Sequence, residues 1–586
     1  MNPLLRVSIG QHSLAGQHAT NQDFYGAWLP VGHLRTSKGI ALALSDGISS
    51  SNVSHIASAT AVRSFLEDYF ATFETWTVRR SAECVLSATN AWLHAQTMRG
   101  DGRFDKDRGH VCTFSALVLK GREAHLFHVG DTRVFRLHPQ ALEQLTEDHR
   151  VWLSSTESCL ARALGTSPHT KIDYRCWEAE VDEVYLLATD GAYEYLDVAT
   201  VHQALAQHGD DLDAAAAWLV AQARTRGSQD DATLQLLRID GLPQHSTPHA
   251  QLRQKERLLP PLLTPRSRFE GFTVVRELQV SARSHLHLAV DDASGQHVVL
   301  KTPSVDLRDD PSYLDGFVLE EWVARRVDSP HVVRVWAGER LRTHLCVALE
   351  YIEGQTLAQW MSDHPSPLLE AVRDLVAQTA AGLQALHRRE MVHRDLRPHN
   401  VMIDRNGTVK LIDLASVQVA GLIEGGAVPL QETPPGTLQY TAPECLLGYA
   451  ATPQSDLFSL AVMTYQMLTG QLPYGLHAAR LRQVQDLRHL RYVPLRNHRP
   501  ELPAWLDAVL GKALHPLPEK RQETLSEFVH DLQSPGASFQ SVQRMPLIER
   551  DPVLFWKCLS AVLFVCVIGQ LFFGVYRSGV PPIAGI

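Results

Sequence analysis

The sequence predicts three parts in series: a layered α/β domain, a two-lobed α+β domain, and one apolar helix near the C-terminus. Three observations predict this. The chain has 586 residues, and single hydrophobic cores stop growing at about 250 to 300 residues, so several folding units are required. Residues 241–268, GLPQHSTPHAQLRQKERLLPPLLTPRSR, are rich in proline and polar side chains without a sustained apolar period and read as a linker. Residues 558–576, CLSAVLFVCVIGQLFFGVY, form an apolar run that as a helix reaches about 28 Å, close to a bilayer core of about 30 Å.

Before the linker, apolar runs at 40–44, 113–119, 124–129 and 184–188 read as buried strands, and stretches near 56–73 and 82–98 read as helices. Strands and helices so mixed predict a layered α+β or α/β domain over 5–240. After the linker, a strand-rich stretch to about Glu350 gives way to helical periodicity at 371–386 and 456–468, a two-lobed arrangement over 269–533. A juxtamembrane segment (534–555) leads to the apolar helix (556–577) and a tail (578–586). Trp556, Lys557, Tyr576 and Arg577 flank that helix as interfacial anchors. Arg544, Arg550 and Lys557 on its N-terminal side predict a cytoplasmic body held by one membrane-spanning helix.

Composition narrows the function classes. A net charge of −9 offers no general basic surface for nucleic acid. Eight scattered cysteines without a CxxC pair indicate neither a zinc knuckle nor a disulfide framework, and the 29 histidines are equally dispersed. The N-terminus, MNPLLRVSIGQHSLAG, lacks the apolar core of a secretory signal.

The segment His393-Arg394-Asp395-Leu396-Arg397-Pro398-His399-Asn400, followed after an apolar strand at 409–412 by Asp413, has the residues phosphoryl transfer requires. An aspartate there accepts the proton of an incoming hydroxyl, while Asn400 and Asp413 offer hard oxygen ligands to magnesium. From these motifs, residues 269 to about 532 resemble a eukaryotic-like Ser/Thr protein kinase of the bacterial type. The resemblance implies ATP with Mg²⁺, Asp395 as catalytic base, and Lys301 on the α- and β-phosphates. It pairs Lys301 with Glu320, the adjacent Glu321 being the alternative. Glu350, in a hinge at 349–352, would meet adenine through its backbone. Ser281 and Ser284 occupy the phosphate loop, where 279–286 reads QVSARSHL without a glycine. Asp413-Leu414-Ala415 stands for the family's DFG turn, and residues 436–444 resemble the end of an activation segment. Arg521 is placed to pair with Glu444, and Asp456 to brace the catalytic loop. Arg397-Pro398 favours Ser/Thr acceptors. Thr433, Thr437 and Thr441 are candidate autophosphorylation sites, with Arg394 placed to pair with the phosphate.

In the first half, Asp46-Gly47 and Asp190-Gly191 each follow a predicted strand, and Asp230-Asp231 lies near the domain's end. Carboxylates at strand ends gather hard ligands in space without proximity in sequence. With Asn21-Gln22-Asp23, Gly130-Asp131-Thr132-Arg133, Thr146-Glu147-Asp148-His149 and Gly227-Ser228-Gln229-Asp230-Asp231, the series resembles the metal-dependent Ser/Thr phosphatases of type 2C. This implies a β-sandwich flanked by helices and a Mn²⁺ or Mg²⁺ pair. Asp46 would bridge, Gly47 would give its carbonyl, Asp190 and Asp230 would complete one site, Asp23 would act through water, and Asp131 would serve a third metal. His18 stands where the family has a phosphate-clamping arginine, and Gln22 where it has glutamate. The whole reads as a bifunctional enzyme acting on Ser/Thr and phospho-Ser/Thr of protein substrates. The second reading is a membrane-tethered scaffold with one or both domains degenerate.

Overall fold

The computed structural model describes residues 5–18, 20–74, 76–152, 158–243, 259–281, 284–307, 310–336, 342–422, 438–475, 478, 481, 483–534 and 552–577. Thr433 and Thr437, most of the linker, most of the juxtamembrane segment and the tail lie outside these residues. The chain divides into two compact units, Met1–Gln359 with Ala381–Thr433, and Trp360–Ala380 with Pro434–Ile586.

The first unit begins with two five-stranded antiparallel sheets. One runs in the order β1 (Arg6–Leu14), β12 (Ala232–Gly241), β11 (Val184–Ala188), β6 (Arg133–Leu137), β7 (Leu142–Gln144). The other runs β10 (Asp173–Glu178), β5 (Glu123–Val129), β4 (Phe114–Lys120), β3 (Ile40–Asp46), β2 (Asp23–Trp28). Alternation along the strands sends Leu42, Leu44, Leu117, Leu126, Leu187, Leu237 and Ile239 into one shared core, which makes the pair a sandwich. The opposite side chains of the first sheet, among them Leu186, Leu234 and Leu236, pack with Ala215, Ala216 and Leu219 of α6 (Leu212–Thr225). Between β2 and β12 come α1 (His33–Ser37), α2 (Ser54–Ala71), α3 (Val78–Arg99), α4 (Asp190–Tyr193) and α5 (Val198–His208). Phe65 of α2 meets Phe114 of β4 edge-on at 5.2 Å, which seats α2 on the second sheet. Thr77, Asp197 and Asp211 accept backbone N–H bonds at the starts of α3, α5 and α6. The fold is thus the expected helix-flanked sandwich, with strand 184–188 at its expected bounds.

The same unit continues with a five-stranded antiparallel sheet, β13 (Arg268–Phe269), β14 (Phe272–Val280), β15 (Ser284–Asp291), β16 (His297–Pro303) and β17 (Val347–Glu350), in that order. Phe272, Val274, Ala289, Val298, Leu300 and Ala348 form its core. Helix α7 (Pro311–Arg326) follows β16. Residues 381–433 add the paired strands Met391–Val392 with Gln418–Val419 and Val401–Asp404 with Val409–Leu411, which present the loops carrying Asp395 and Asp413.

The second unit is helical. Helix Pro453–Thr469 starts from a Thr452/Ser455 capping box and ends at Gly470 with φ of 70°, a left-handed C-cap that glycine adopts without steric cost. Arg521 donates to both carboxylate oxygens of Glu444 at 2.8 and 2.7 Å. Asp456 is buried in the first turn of Pro453–Thr469. The last helix, Pro552–Arg577, has 26 residues. Among the described residues no helix is long and apolar enough to cross a membrane.

Candidate active sites

Strand pairing assembles the first site. Antiparallel register sets Asp23 of β2 directly opposite Asp46 of β3. Asp190 opens α4 just past the end of β11, and Asp230-Asp231 immediately precede β12, the neighbour of β11. Asp23 Oδ2 accepts from Thr189 Oγ1 at 2.9 Å and from Thr233 Oγ1 at 2.6 Å, while its buried Oδ1 has no hydrogen-bond partner among the described residues. Burial pushes the Asp23 carboxyl up to about 7 despite those two bonds. Burial, followed by the charges of Asp23, Asp190, Asp131 and Asp230, pushes Asp46 well above the usual carboxylate range. Burial and the neighbouring Asp131 and Asp230 push Asp190 up to about 6. These five carboxylates therefore share one electrostatic environment. They offer hard oxygens and an unpartnered buried acceptor, which fit divalent cations. Their oxygens are spread wider than a single-ion cage. Three potential ligand atoms come within 4.8 Å of one another, among the described residues, at Glu123, His125 and Cys176 on the β5–β10 edge, and not among the aspartates. A binuclear centre divides its ligands between two ions about 3.5 to 4 Å apart, so such spreading suits it.

Close backbone approach accounts for the glycines of this site. A Cβ on Gly191 would lie 2.1 Å from the Asp231 carbonyl oxygen, and one on Gly47 would lie 2.8 Å from the Ser54 backbone. Asp231 is a backbone anchor: Oδ1 accepts from Gly16 N and Oδ2 from Gln22 N, each at 2.6 Å. Asp148 and His149 are anchors as well. Arg133 forks onto Asp148 at 3.0 and 2.7 Å, and His149 lies 2.8 Å from Asp173. His18 is half-exposed, 3.9 Å from Asp230. Sequence reasoning missed Arg150. Its Nε lies 2.5 Å from Asp131 Oδ2 and its Nη2 lies 3.0 Å from Asp190 Oδ2. The one signal available was its position beside the Thr146–His149 motif.

The second site forms where β16, α7 and the two catalytic loops meet. Lys301 Nζ donates to Glu320 Oε1 and Oε2 at 2.9 and 2.7 Å and to Asp413 Oδ1 at 3.1 Å. Burial alone would lower the Lys301 pKa, but the Asp413 and Glu320 carboxylates outweigh it and hold the ammonium charged. Glu321 turns away to Arg325 and Arg342. Asn400 Nδ2 donates to the Asp395 carbonyl at 2.8 Å and to Asp395 Oδ2 at 3.0 Å, leaving its own Oδ1 as an acceptor. Asp395 Oδ1 is buried without a hydrogen-bond partner among the described residues, and burial raises the pKa of this carboxyl. Leu414 is buried where the turn packs inward. Ser281 and Ser284 close the β14–β15 turn on each other: Ser281 N donates to Ser284 O at 3.0 Å, and Ser284 N to Ser281 Oγ at 3.0 Å. Glu350 pairs its side chain with Lys410 at 2.7 Å, and its N–H donates to the Arg334 carbonyl.

Comparison with known proteins agrees with both halves. Residues 11–226 match the family model for protein phosphatase 2C, and residues 276–532 match that for the protein kinase domain. The chain therefore joins a phosphatase-type domain and a protein kinase domain in tandem. It is 34% identical over 198 residues to the Ser/Thr-protein kinase drp72 of Corynebacterium efficiens, covering 33% of this chain and 37% of that protein. To PknB of Mycolicibacterium smegmatis it is 29% identical over 287 residues, covering 47% and 45%. The chain spans less than half the length of these curated relatives. Among solved structures, the Mycobacterium tuberculosis PknI kinase domain aligns at 27% identity over 47% of this chain and 99% of its own, with a TM-score of 0.37. The phosphatase PstP of the same organism aligns at 20% identity over 40% and 99%, with a TM-score of 0.33.

Proposed function

We propose that the chain is a bifunctional signalling enzyme: the second domain transfers the γ-phosphoryl group of ATP to Ser or Thr of proteins, and the first hydrolyses phospho-Ser or phospho-Thr. The observation that carries the kinase half is the buried Lys301–Glu320 pair extended to Asp413. It sets an ammonium where ATP phosphates would lie, beside an aspartate and Asn400 suited to Mg²⁺. Asp395, with Oδ1 unpartnered and Oδ2 held by Asn400, is poised to take the proton of an acceptor hydroxyl. Ser281 and Ser284 spend their own N–H groups on each other, which puts more of the phosphate binding on Lys301 and the metal ligands.

In the phosphatase half, a pair of Mn²⁺ or Mg²⁺ ions, when bound, would lower the pKa of water and neutralise phosphate charge. Asp46, Asp190 and Asp230 with the Gly47 carbonyl are the groups to hold that pair, with Asp23 and Asp131 at the margins. His18, at the exposed edge beside Asp230, takes the place of a permanently charged, bidentate clamp, which makes substrate binding weaker. The same reading anchors the chain in a membrane through its last helix, with the catalytic domains in the cytoplasm. Val553, Trp556, Val562, Leu563, Phe564 and Val565 are exposed all round that helix, an arrangement that water disfavours and lipid accommodates.

The test is paired. Purified protein is incubated with labelled ATP and a protein acceptor, and separately with p-nitrophenyl phosphate and Mn²⁺, alongside Asp395→Asn and Asp190→Ala. Each signal is expected to vanish in its own variant only. Absence of both signals in the parent would support a scaffold instead. Retention of the full-length chain in carbonate-washed membranes, and its release on deletion of 552–577, tests the anchor.

A further inference from the structure

The phosphatase-type domain and the nucleotide-binding half of the kinase domain fall within one compact unit, and they meet through particular residues. Asp68, in the last turn of α2, forms an ion pair with Arg326, the final residue of α7, at 2.9 Å. Both side chains are buried, 10% and 3% exposed, so each charge depends on the other. The Arg326 guanidinium also lies 5.1 Å from the ring centre of buried Trp322 on the same helix. From α3, Trp92 Nε1 donates to the Arg388 carbonyl at 2.9 Å, and Arg99 pairs with Glu390 at 2.8 Å. Further along, the carbonyl of Ser87 in α3 comes so near Gly421 that a Cβ there would stand 2.3 Å from it. Gly421 also has φ of 83°, which disfavours any other residue.

These four contacts reach three parts of the kinase machinery. Arg326 ends the helix that carries Glu320, the partner of Lys301. Arg388 and Glu390 form the turn that leads into Met391–Val392 and on to Asp395. Gly421 lies in the segment that follows Asp413. We infer that the α2–α3 hairpin is a docking surface for the chain's own kinase domain, bracing α7 and the catalytic turn so that Lys301 and Glu320 stay paired. A buried ion pair broken at one partner leaves an uncompensated charge, so the end of α7 is expelled toward water and Glu320 moves with it. The two opposed activities are thereby coupled through a protein contact, and phosphatase chemistry is not needed for the effect. The inference rests on the kinase reading for its consequence, but not for the docking itself.

Hydrogen–deuterium exchange on the full chain tests the docking, and phosphorylation of a protein acceptor tests the consequence. In Asp68→Arg, peptides covering 311–326 and 387–395 are expected to exchange at least about tenfold faster, and kcat/KM to fall by on the order of tenfold, the scale of ordinary coupling between sites. Hydrolysis of p-nitrophenyl phosphate stays at the parent rate, since Asp68 lies outside the phosphatase site. Trp92→Phe, which removes the indole donor to the Arg388 carbonyl, keeps an aromatic ring beside His110 and adds no charge, shifts both readouts the same way by a smaller factor. Exchange at α7 unchanged in both variants, with both folded by circular dichroism, overturns the proposal. If the parent transfers no phosphate, the kinase reading fails and the exchange measurement alone decides the docking.

Discussion

Arg150 donates to Asp131 and Asp190 at once, and it is the side chain that motif reading passed over by a single position. Its neighbours Asp148 and His149 were legible as a motif, yet they turn out to anchor backbone and strands. The β8 strand (Arg150–Trp152), paired with β9 (Ser158–Leu160), aims the guanidinium back at carboxylates 19 and 40 residues away. A fixed cation between two metal-seeking carboxylates competes with a metal ion there. Arg150→Ala is expected to tighten Mn²⁺ binding by about tenfold, or about 1.4 kcal/mol, in equilibrium dialysis with metal analysis. Unchanged metal content would show that the guanidinium does not compete. His128 illustrates the opposite lesson, a histidine that composition could not distinguish from its 28 fellows among the 29. Burial, with His149 beside it, pushes its pKa from 6.5 down to about 4. The unfolded chain therefore binds more protons than the folded one between those values. Stability from this group is complete above pH 6.5, declines as pH falls, and is gone below about pH 4. His128→Asn should remove up to about 3 kcal/mol of that acid loss, read as the pH dependence of the metal-sensitive thermal transition.

At the scale of elements, the strands and helices of the first domain were largely legible because burial on both faces leaves continuous apolar runs, as at 184–188, and helices carry their caps in sequence. Terminal residues moved by a few positions: the helix expected near 82–98 begins at Val78 because Thr77 caps it. The β14–β15 turn was legible only as an absence of glycine. What replaces it is a mutual lock between Ser281 and Ser284, and a register shift in β14 between Glu277 and Gln279 accompanies the turn. Ser281→Gly frees the Ser284 N–H that the hydroxyl now accepts. One new backbone bond to phosphate is worth about 1 kcal/mol, so the KM for ATP should fall by about fivefold. Steady-state kinetics at fixed acceptor concentration checks this, and an unchanged KM would place the turn outside the phosphate site.

For the whole molecule, placing opposed activities on one chain makes dephosphorylation in cis fast, since a tether sustains an effective concentration up to the millimolar range. Asp46→Ala is expected to raise the phosphate carried by the chain's own activation segment, where Thr441 is the candidate within the described residues. Quantitative mass spectrometry of the intact protein against the variant decides it, with equal phosphate counting against self-resetting. The expected two-domain order of the chain holds in the structure, but the compact units do not follow that order. The first domain clusters with the first part of the kinase domain, and the helices after 434 cluster separately. No local pattern announced this, because Asp68, Trp92, Arg99, Arg326 and Glu390 are ordinary helix and turn residues until they face one another.

The amino-acid order by itself determined the two domain types, the sequence of strands and helices, and the identity of the acids, because chemistry of that kind demands particular side chains beside particular local structure. Folding alone decided which acids stand together, that Glu320 and not Glu321 meets Lys301, that Arg150 enters the carboxylate cluster, and that α2 leans on α7 while α3 meets the turn at Arg388 and Glu390. Those outcomes depend on charges from distant segments being brought out of water at the same place, where each is tolerated only because the other arrives.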